Sequence, residues 1–316
     1  MLRASYPNTE TATYPTAQRA FLFSSEVQGA GVSYSLLGSD VRHTTADRGS
    51  NRGESGMRID GEAFIKEVLQ LYVKNPCRVS SIAFWKTERM CLESETYRIT
   101  DDGHTYLYAI RDHRLEFYWS DDKDRFILTQ DQIQALELLV LHEDFYRLIA
   151  ENLDGYKVRE ICPLIYDFTF SQGFNFSEDF FIVDFDFDKE RDFVLAAELL
   201  NRSYKNHNHD AEEIIGWCSQ PVFDESSWIW ARTRVSNEVV GLGISTYQES
   251  IKETYLDWIQ VLPEYQRKGI GRMLVGETIN RAINKSDIIR VTGMADGFYE
   301  KCGFEGNESW RIVTKK

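Results

Sequence analysis

The chain has 316 residues, with 36 Lys and Arg against 50 Asp and Glu, a net charge of −14 and 42% hydrophobic residues. That length exceeds the usual single domain, so two cores are expected, and the acidic surplus opposes unassisted binding to nucleic acid or to an anionic membrane. No run of 18 apolar residues suggests a membrane span, and five scattered cysteines without a CxxC pair indicate neither a disulfide framework nor a metal site, so a reducing cytoplasm fits best.

Residues 1–56 contain no Lys and are rich in Ser, Thr and Gly, especially over 41–56 (VRHTTADRGSNRGESG). They lack the apolar periodicity that packing requires and read as a disordered extension or a non-native leader. From Asp60, a helical stripe made by Phe64, Val68 and Leu71 with Ile65, Leu69 and Tyr72 ends at Asn75-Pro76. Residues 79–86 (VSSIAFWK), 106–111 and 114–119 are β-like, the last two joined through Asp112-His113, and 131–141 returns to helix. Polar residues and Gly at 171–173 suggest a boundary, giving an accessory α/β domain over 57–175 and a second domain over 176–316. In the latter, residues 180–187 (FFIVDFDF) form a strand, and Phe193, Ala197 and Leu200 share the face of a helix. Asp210 and Glu213 then open a second helix as a capping box. His207 and His209 fall in the loop between these helices, where exposure to solvent is expected. Residues 228–235 and 238–247 pair across Ser236-Asn237.

The chemistry concentrates in 254–285 (TYLDWIQVLPEYQRKGIGRMLVGETINRAINK). Aromatic and β-branched residues make a strand to Val261, Pro263 ends it, and Gln266-Arg267-Lys268-Gly269-Ile270-Gly271 leads into a helix with Val275, Ile279, Ala282 and Ile283 on one face. A helix start presents unpaired N–H groups and about half a positive charge, which favours phosphate, and Arg267, Lys268 and Arg272 add charge beside it. The spacing matches neither GxxxxGK[ST] nor GxGxxG. Period-two geometry puts Glu253, Tyr255, Asp257 and Ile259 on one face of the preceding strand.

The segment VLPEYQRKGIGRMLV resembles the acyl-CoA loop of the GNAT superfamily of N-acyltransferases, and 298–304 (FYEKCGF) resembles its later YxxxGF segment. The resemblance covers about residues 180–316, with both motifs in family order and separated by one helix and one strand. It implies an α/β fold, or more finely α+β, with a GNAT-like mixed central sheet flanked by helices. The first domain echoes the order helix, strands, helix but has no Q-x-x-G-x-G, so a degenerate GNAT-like half and an unrelated accessory domain both stay open.

The resemblance further implies transfer of acetyl from acetyl-CoA, a co-substrate, by direct attack of a primary amine in a ternary complex. The acceptor would be a small-molecule or peptide amine. The loop residues Gln266, Arg267, Lys268, Gly269, Ile270, Gly271 and Arg272 would bind the pyrophosphate, and the backbone at Val261 and Leu262 would hold pantetheine. Tyr299 would be the general acid beside the CoA sulfur. For the base, Asp257 ranks above Glu253, since Tyr255 stands where some relatives have Glu; a carboxylate that only binds the acceptor's ammonium or pairs with Arg is the other reading. The alternative at the level of function is a non-catalytic acyl-CoA-binding sensor or protein-interaction module, against which the retention of both a strand carboxylate and Tyr299 argues.

Overall fold

The first half, in the computed structural model, runs β1 (Met57–Ile59), α1 (Gly61–Tyr72), α2 (Pro76–Val79), α3 (Phe84–Leu92), β2 (Glu95–Asp101), β3 (His104–Arg111), β4 (Arg114–Ser120), α4 (Gln130–Gln134), β5 (Leu138–His142), α5 (Glu143–Ile149) and β6 (Tyr156–Tyr166). The second runs β7 (Phe180–Asp184), α6 (Glu190–Ser203), α7 (Ala211–Trp217), β8 (Ile229–Thr233), β9 (Val239–Gln248), β10 (Glu253–Val261), α8 (Ile270–Ala282), β11 (Ile288–Gly293), β12 (Phe304–Glu305) and β13 (Trp310–Lys315). The structure describes residues 57–170, 177–203, 208–293 and 297–316. The expected leader over 1–56, the expected boundary at 171–173 and His207 lie outside the described residues.

Most elements arise from local chemistry. Asp60 caps α1, its Oδ1 accepting from Glu62 N at 3.0 Å, and Phe64, Ile65, Val68 and Tyr72 form the buried stripe. Asp112 and His113 both adopt positive φ, the geometry of the tight turn that matches strand twist, and join β3 to β4.

Two expectations fail. Residues 79–86 are not a strand: Asn75 accepts from Arg78 N at 3.2 Å with Pro76 at the first helical position, so a pair read as a helix stop also starts α2. Helix α3 then begins at Phe84 without a side-chain cap from its own neighbourhood. Its first N–H instead donates to Glu253 Oε2 at 3.0 Å, a partner 169 residues away that no local pattern shows. Residues 131–141 are not one helix either. α4 stops at Gln134, and Leu138–His142 is a strand held between β4 and β13.

The strands form one mixed sheet in the order β1-β2-β3-β4-β5-β13-β6-β11-β10-β9-β8-β7, with β12 also on β6. Read from either edge, five strands of one half lead inward to a crossed central pair. β13, from the end of the chain, lies on β5 of the first half (Trp310 opposite His142), while β6 lies on β11 of the second (Ile165 opposite Arg290). The two halves have therefore exchanged their last strands, and neither sheet is complete without the other. Helices flank this sheet. α6 and α7 cover the second half on one face, with Trp217, Trp228, Trp230 and Trp258 in the core, and Trp85 of α3 joins that cluster from the first half. α8 covers the opposite face through Val275 and Ile279 against Leu256 and Ile289.

Candidate active site

β10 and β11 run parallel and pair only at Glu253 to Tyr255 with Ile288 to Arg290, after which they part. β11 continues on β6 and β10 on β9, so a wedge opens between them. Its apex carries a bulge: the β10 to β9 register shifts between Leu256 and Trp258, making Asp257 the extra residue. Alternation therefore changes phase there. Tyr255 and Trp258 face α6 and α7, whereas Leu256 and Ile259 face α8, which corrects the expected placement of Ile259 on the Tyr255 face. Leu262 N donates to Val240 O at 3.0 Å. By the alternation of an antiparallel ladder, Ile259 and Val261 turn their N–H groups into the wedge. Val261 is thus the donor on the open side, and Leu262 is not, because its N–H is already engaged.

The turn after β10 is built to expose backbone. Arg267 (φ 64°) and Gly269 (φ 87°) are both left-handed, and Gln266 Nε2 donates back to Val261 O at 3.2 Å, fixing the loop to the end of the strand. Gly269 occupies the N-cap of α8, where no side chain caps the helix, and the first intrahelical bond is Met273 N to Gly269 O at 3.1 Å. The N–H groups of Ile270, Gly271 and Arg272 consequently have no partner within the helix. A Cβ on Gly269 would meet nothing within 4 Å, so glycine serves the positive φ; one on Gly271 would lie 3.1 Å from the Phe298 ring, so there glycine serves packing. Gln266, Arg267 and Lys268 lie toward solvent, while Ile270 is buried and can offer only its backbone. Arg272 turns beside the Cys302 thiol, whose pKa burial pushes up to about 11 against the pull of that guanidinium. This surface offers donors, positive charge and room, which fits a diphosphate.

Tyr299 lies on the β11 side of the wedge. Its ring is edge-on to Phe298 at 4.9 Å and to Phe304 at 5.8 Å, and a Cβ on Gly293, the last residue of β11, would touch it at 2.9 Å.

The two strand carboxylates have internal partners. Asp257 Oδ2 accepts from Thr246 Oγ1 at 2.9 Å, and its Oδ1 is bound by the ammonium of Lys86 from α3. Glu253, 1% exposed, takes Tyr72 OH and Phe84 N from the first half, with Arg290 Nη1 3.4 Å away. Burial raises the pKa of Tyr72, which keeps its phenol protonated and donating. Arg290, fully buried, also donates to Ser80 O at 2.8 Å and Ile82 O at 3.1 Å. The segment from α2 to α3 therefore forms the wall of the second half's site. Sequence reading missed Tyr72, Lys86, Thr246 and Arg290. Only Lys86 left a trace, as a lone charge after Phe84-Trp85.

His209 departs from expectation. It is buried, with Nδ1 3.0 Å from Glu213 Oε2 and its ring edge-on to Trp217 and Trp258, because Asn201 grips its backbone N–H and carbonyl at 2.7 and 2.8 Å. Glu213 thereby completes only half of the expected capping box: Asp210 accepts from Glu213 N at 2.8 Å while the Glu213 carboxylate serves His209. Among the described residues no cluster of His, Cys, Asp and Glu could hold a metal ion, and no helix is long and apolar enough to cross a membrane.

The model for the acetyltransferase (GNAT) domain matches residues 209–306, which contain the bulged strand, the loop, α8 and Tyr299. The second half is a GNAT-superfamily domain. Solved structures share the fold across both halves. A GCN5-related N-acetyltransferase from Sphaerobacter thermophilus is 13% identical with a TM-score of 0.58, covering 82% of this chain and 94% of its own. A GNAT-family acetyltransferase from Colwellia psychrerythraea is 11% identical with a TM-score of 0.52, covering 83% and 100%. A tandem GNAT protein from the clavulanic acid biosynthesis pathway is 9% identical with a TM-score of 0.55, covering 83% and 98%. At such identities the likeness concerns fold. No curated protein matches the sequence. The GNAT domain makes acyl transfer the class of chemistry.

Proposed function

We propose that the chain is an N-acetyltransferase that moves acetyl from acetyl-CoA directly to a primary amine, of a small molecule or a peptide, in a ternary complex. The observation that carries this reading is the left-handed turn at Arg267 and Gly269, which delivers the uncapped start of α8 to the mouth of the wedge. Pyrophosphate would rest on the N–H groups of Ile270, Gly271 and Arg272 with Gln266, Arg267 and Lys268 beside it. Val261 N–H would hold the pantetheine arm along β10.

An alkylammonium with a pKa of about 10.4 must lose a proton before it attacks, whereas a thiol of about 8.5 leaves more readily, so the base matters at least as much as the acid. Asp257, at the bulge where the wedge opens, is proposed as the group that receives the amine's proton. Glu253 is assigned a positioning part, since it ties α3 to β10 and β11 through Tyr72, Phe84 N and Arg290. Tyr299, across the wedge, would protonate the leaving sulfur.

A screen for thiol release from acetyl-CoA in the presence of pooled amino acids, polyamines, aminoglycosides and peptides tests the proposal, with release in at least one pool as the expected result. The internal pairing of both strand carboxylates favours a second reading, an acyl-CoA-binding module without turnover. Tight acetyl-CoA binding with no thiol release in any pool would select it.

A further inference from the structure

Lys86 projects from α3 of the first half to the bulge of the second half's β10. Its ammonium is in hydrogen-bond contact with Asp257 Oδ1, and the two side chains are 6% and 0% exposed. Two rings wall it: Nζ lies 5.2 Å from the centroid of Tyr255 and 5.4 Å from that of Trp85. Trp85 is itself fixed, donating from Nε1 to Thr246 Oγ1 at 3.1 Å, the same hydroxyl that donates to Asp257. A primary alkylammonium is thus held, by a carboxylate and two aromatic faces, at the residue where β10 parts from β11. As a stability device this is poor, because desolvating a lysine and a carboxylate together commonly offsets what their attraction returns. As chemistry it presents the functional group on which an N-acyltransferase acts.

We propose that Lys86 is an internal acyl acceptor, a self-modification site at which the chain transfers the acyl group of an acyl-CoA to its own Nζ. The inference rests on the proposed acyltransferase function. Nζ passes one proton to Asp257, which becomes neutral, and the freed lone pair attacks the thioester carbonyl carbon. The Nζ–C bond forms and the C–S bond breaks, sulfur taking the electron pair. The second Nζ proton reaches sulfur through the Tyr299 phenol, which gives its own proton and is refilled. The products are N-acyl-Lys86, the free thiol of CoA and a protonated Asp257. This end state suits its surroundings, since a neutral amide beside a neutral carboxylic acid leaves no unpaired charge in a buried site. Modification would also fill the place an external amine must take at Asp257, so acylated protein should turn over external acceptors more slowly than fresh protein.

The test is to incubate the full chain with acetyl-CoA, map acetylated lysines by tandem mass spectrometry over time, and measure acetyl-CoA binding to the same preparation by calorimetry. A parallel sample unfolded in urea reports simple chemical acylation. The expected result is that Lys86 is the fastest lysine to acquire acetyl in the folded chain, ahead of the exposed Lys66 and Lys301, and that this preference vanishes in urea. Folded protein that binds acetyl-CoA and leaves Lys86 unmodified would overturn this inference while leaving the acyltransferase reading intact. Equal labelling of Lys86 in folded and unfolded samples would overturn it as well. Absence of acetyl-CoA binding would overturn both.

Discussion

The two halves contain the same wedge put to different ends. In the second, β10 and β11 pair over three residues and part; in the first, β4 and β5 pair only at Arg114 with Leu138 and Leu115 with Leu139 before they part. Beyond the wedge the two chain paths diverge. After β10 the backbone turns left-handed twice and opens the 13-residue α8 with no side-chain cap. After β4 it leads to the five-residue α4, whose start is closed by a reciprocal capping box: Thr129 N donates to Gln132 Oε1 at 2.8 Å and Gln132 N to Thr129 Oγ1 at 3.4 Å. The capping box thus engages the N–H groups of Thr129 and Gln132 at a helix start whose counterpart in the second half has no side-chain cap. In the first half Tyr118 of β4 is stacked 4.3 Å from Phe126 and lies edge-on to Phe145. A cavity of about 50 Å³ is left between α2, α3 and the sheet, bordered by Thr87, Glu116 and Trp310. One backbone plan therefore leads to an uncapped helix start in one half and a capped one in the other.

The largest expected effect concerns the dependence of each half on the other. Residues 177–316 expressed alone would lose β6, leaving β11 without its outer partner and β13 without either of its own, and would also lose the α2 to α3 wall around Arg290. Such a fragment should not unfold cooperatively by calorimetry or denaturant. A stable, soluble fragment would mean that the exchanged strands are dispensable.

Next in size is Tyr299→Phe. The ring contacts with Phe298 and Phe304 survive, but the proposed proton donor to sulfur is lost, so kcat should fall by roughly 10²-fold with little change in acetyl-CoA affinity. Wild-type turnover by this variant would reduce Tyr299 to packing.

Smaller still is Thr129→Ala in the first half. Removing a cap typically costs about 1 kcal/mol, so the denaturation midpoint should drop modestly while acetyl-CoA affinity stays constant. A change in affinity would mean that the first wedge takes part in binding after all.

How much of the molecule was legible in the sequence depends on the range over which each element is decided. The loop, α8 and β11 are local: Pro263, Gly269, Gly271 and an apolar stripe mark the turn and the helix, and the expected order of strand, loop, helix and strand is the observed one. The mixed sheet with flanking helices is implied by the resemblance of the loop and the YxxxGF segment to the GNAT superfamily. The failures are tertiary. Residues 79–86 are not a strand because Glu253 caps α3 at Phe84 and Arg290 takes the Ser80 and Ile82 carbonyls of the link between α2 and α3, contacts made across the join between the halves. Residues 138–142 become strand because β13 returns from the end of the chain to pair with them. Among the candidate site residues, the resemblance pointed to Asp257, Glu253 and Tyr299, but that Asp257 faces Lys86 and that Glu253 faces Tyr72 arises only when the halves join.

The measurement that bears most directly on the contrast between the two wedges is a calorimetric titration of the full chain with acetyl-CoA, repeated on Gly269→Val. A valine at φ 87° is strained by roughly 1–3 kcal/mol, yet its Cβ meets nothing within 4 Å, so the fold should persist while the loop no longer offers its N–H groups. An open second wedge and a closed first one predict one equivalent bound per wild-type chain and none in the variant. Two equivalents per chain, or undiminished binding by folded Gly269→Val, would contradict that division.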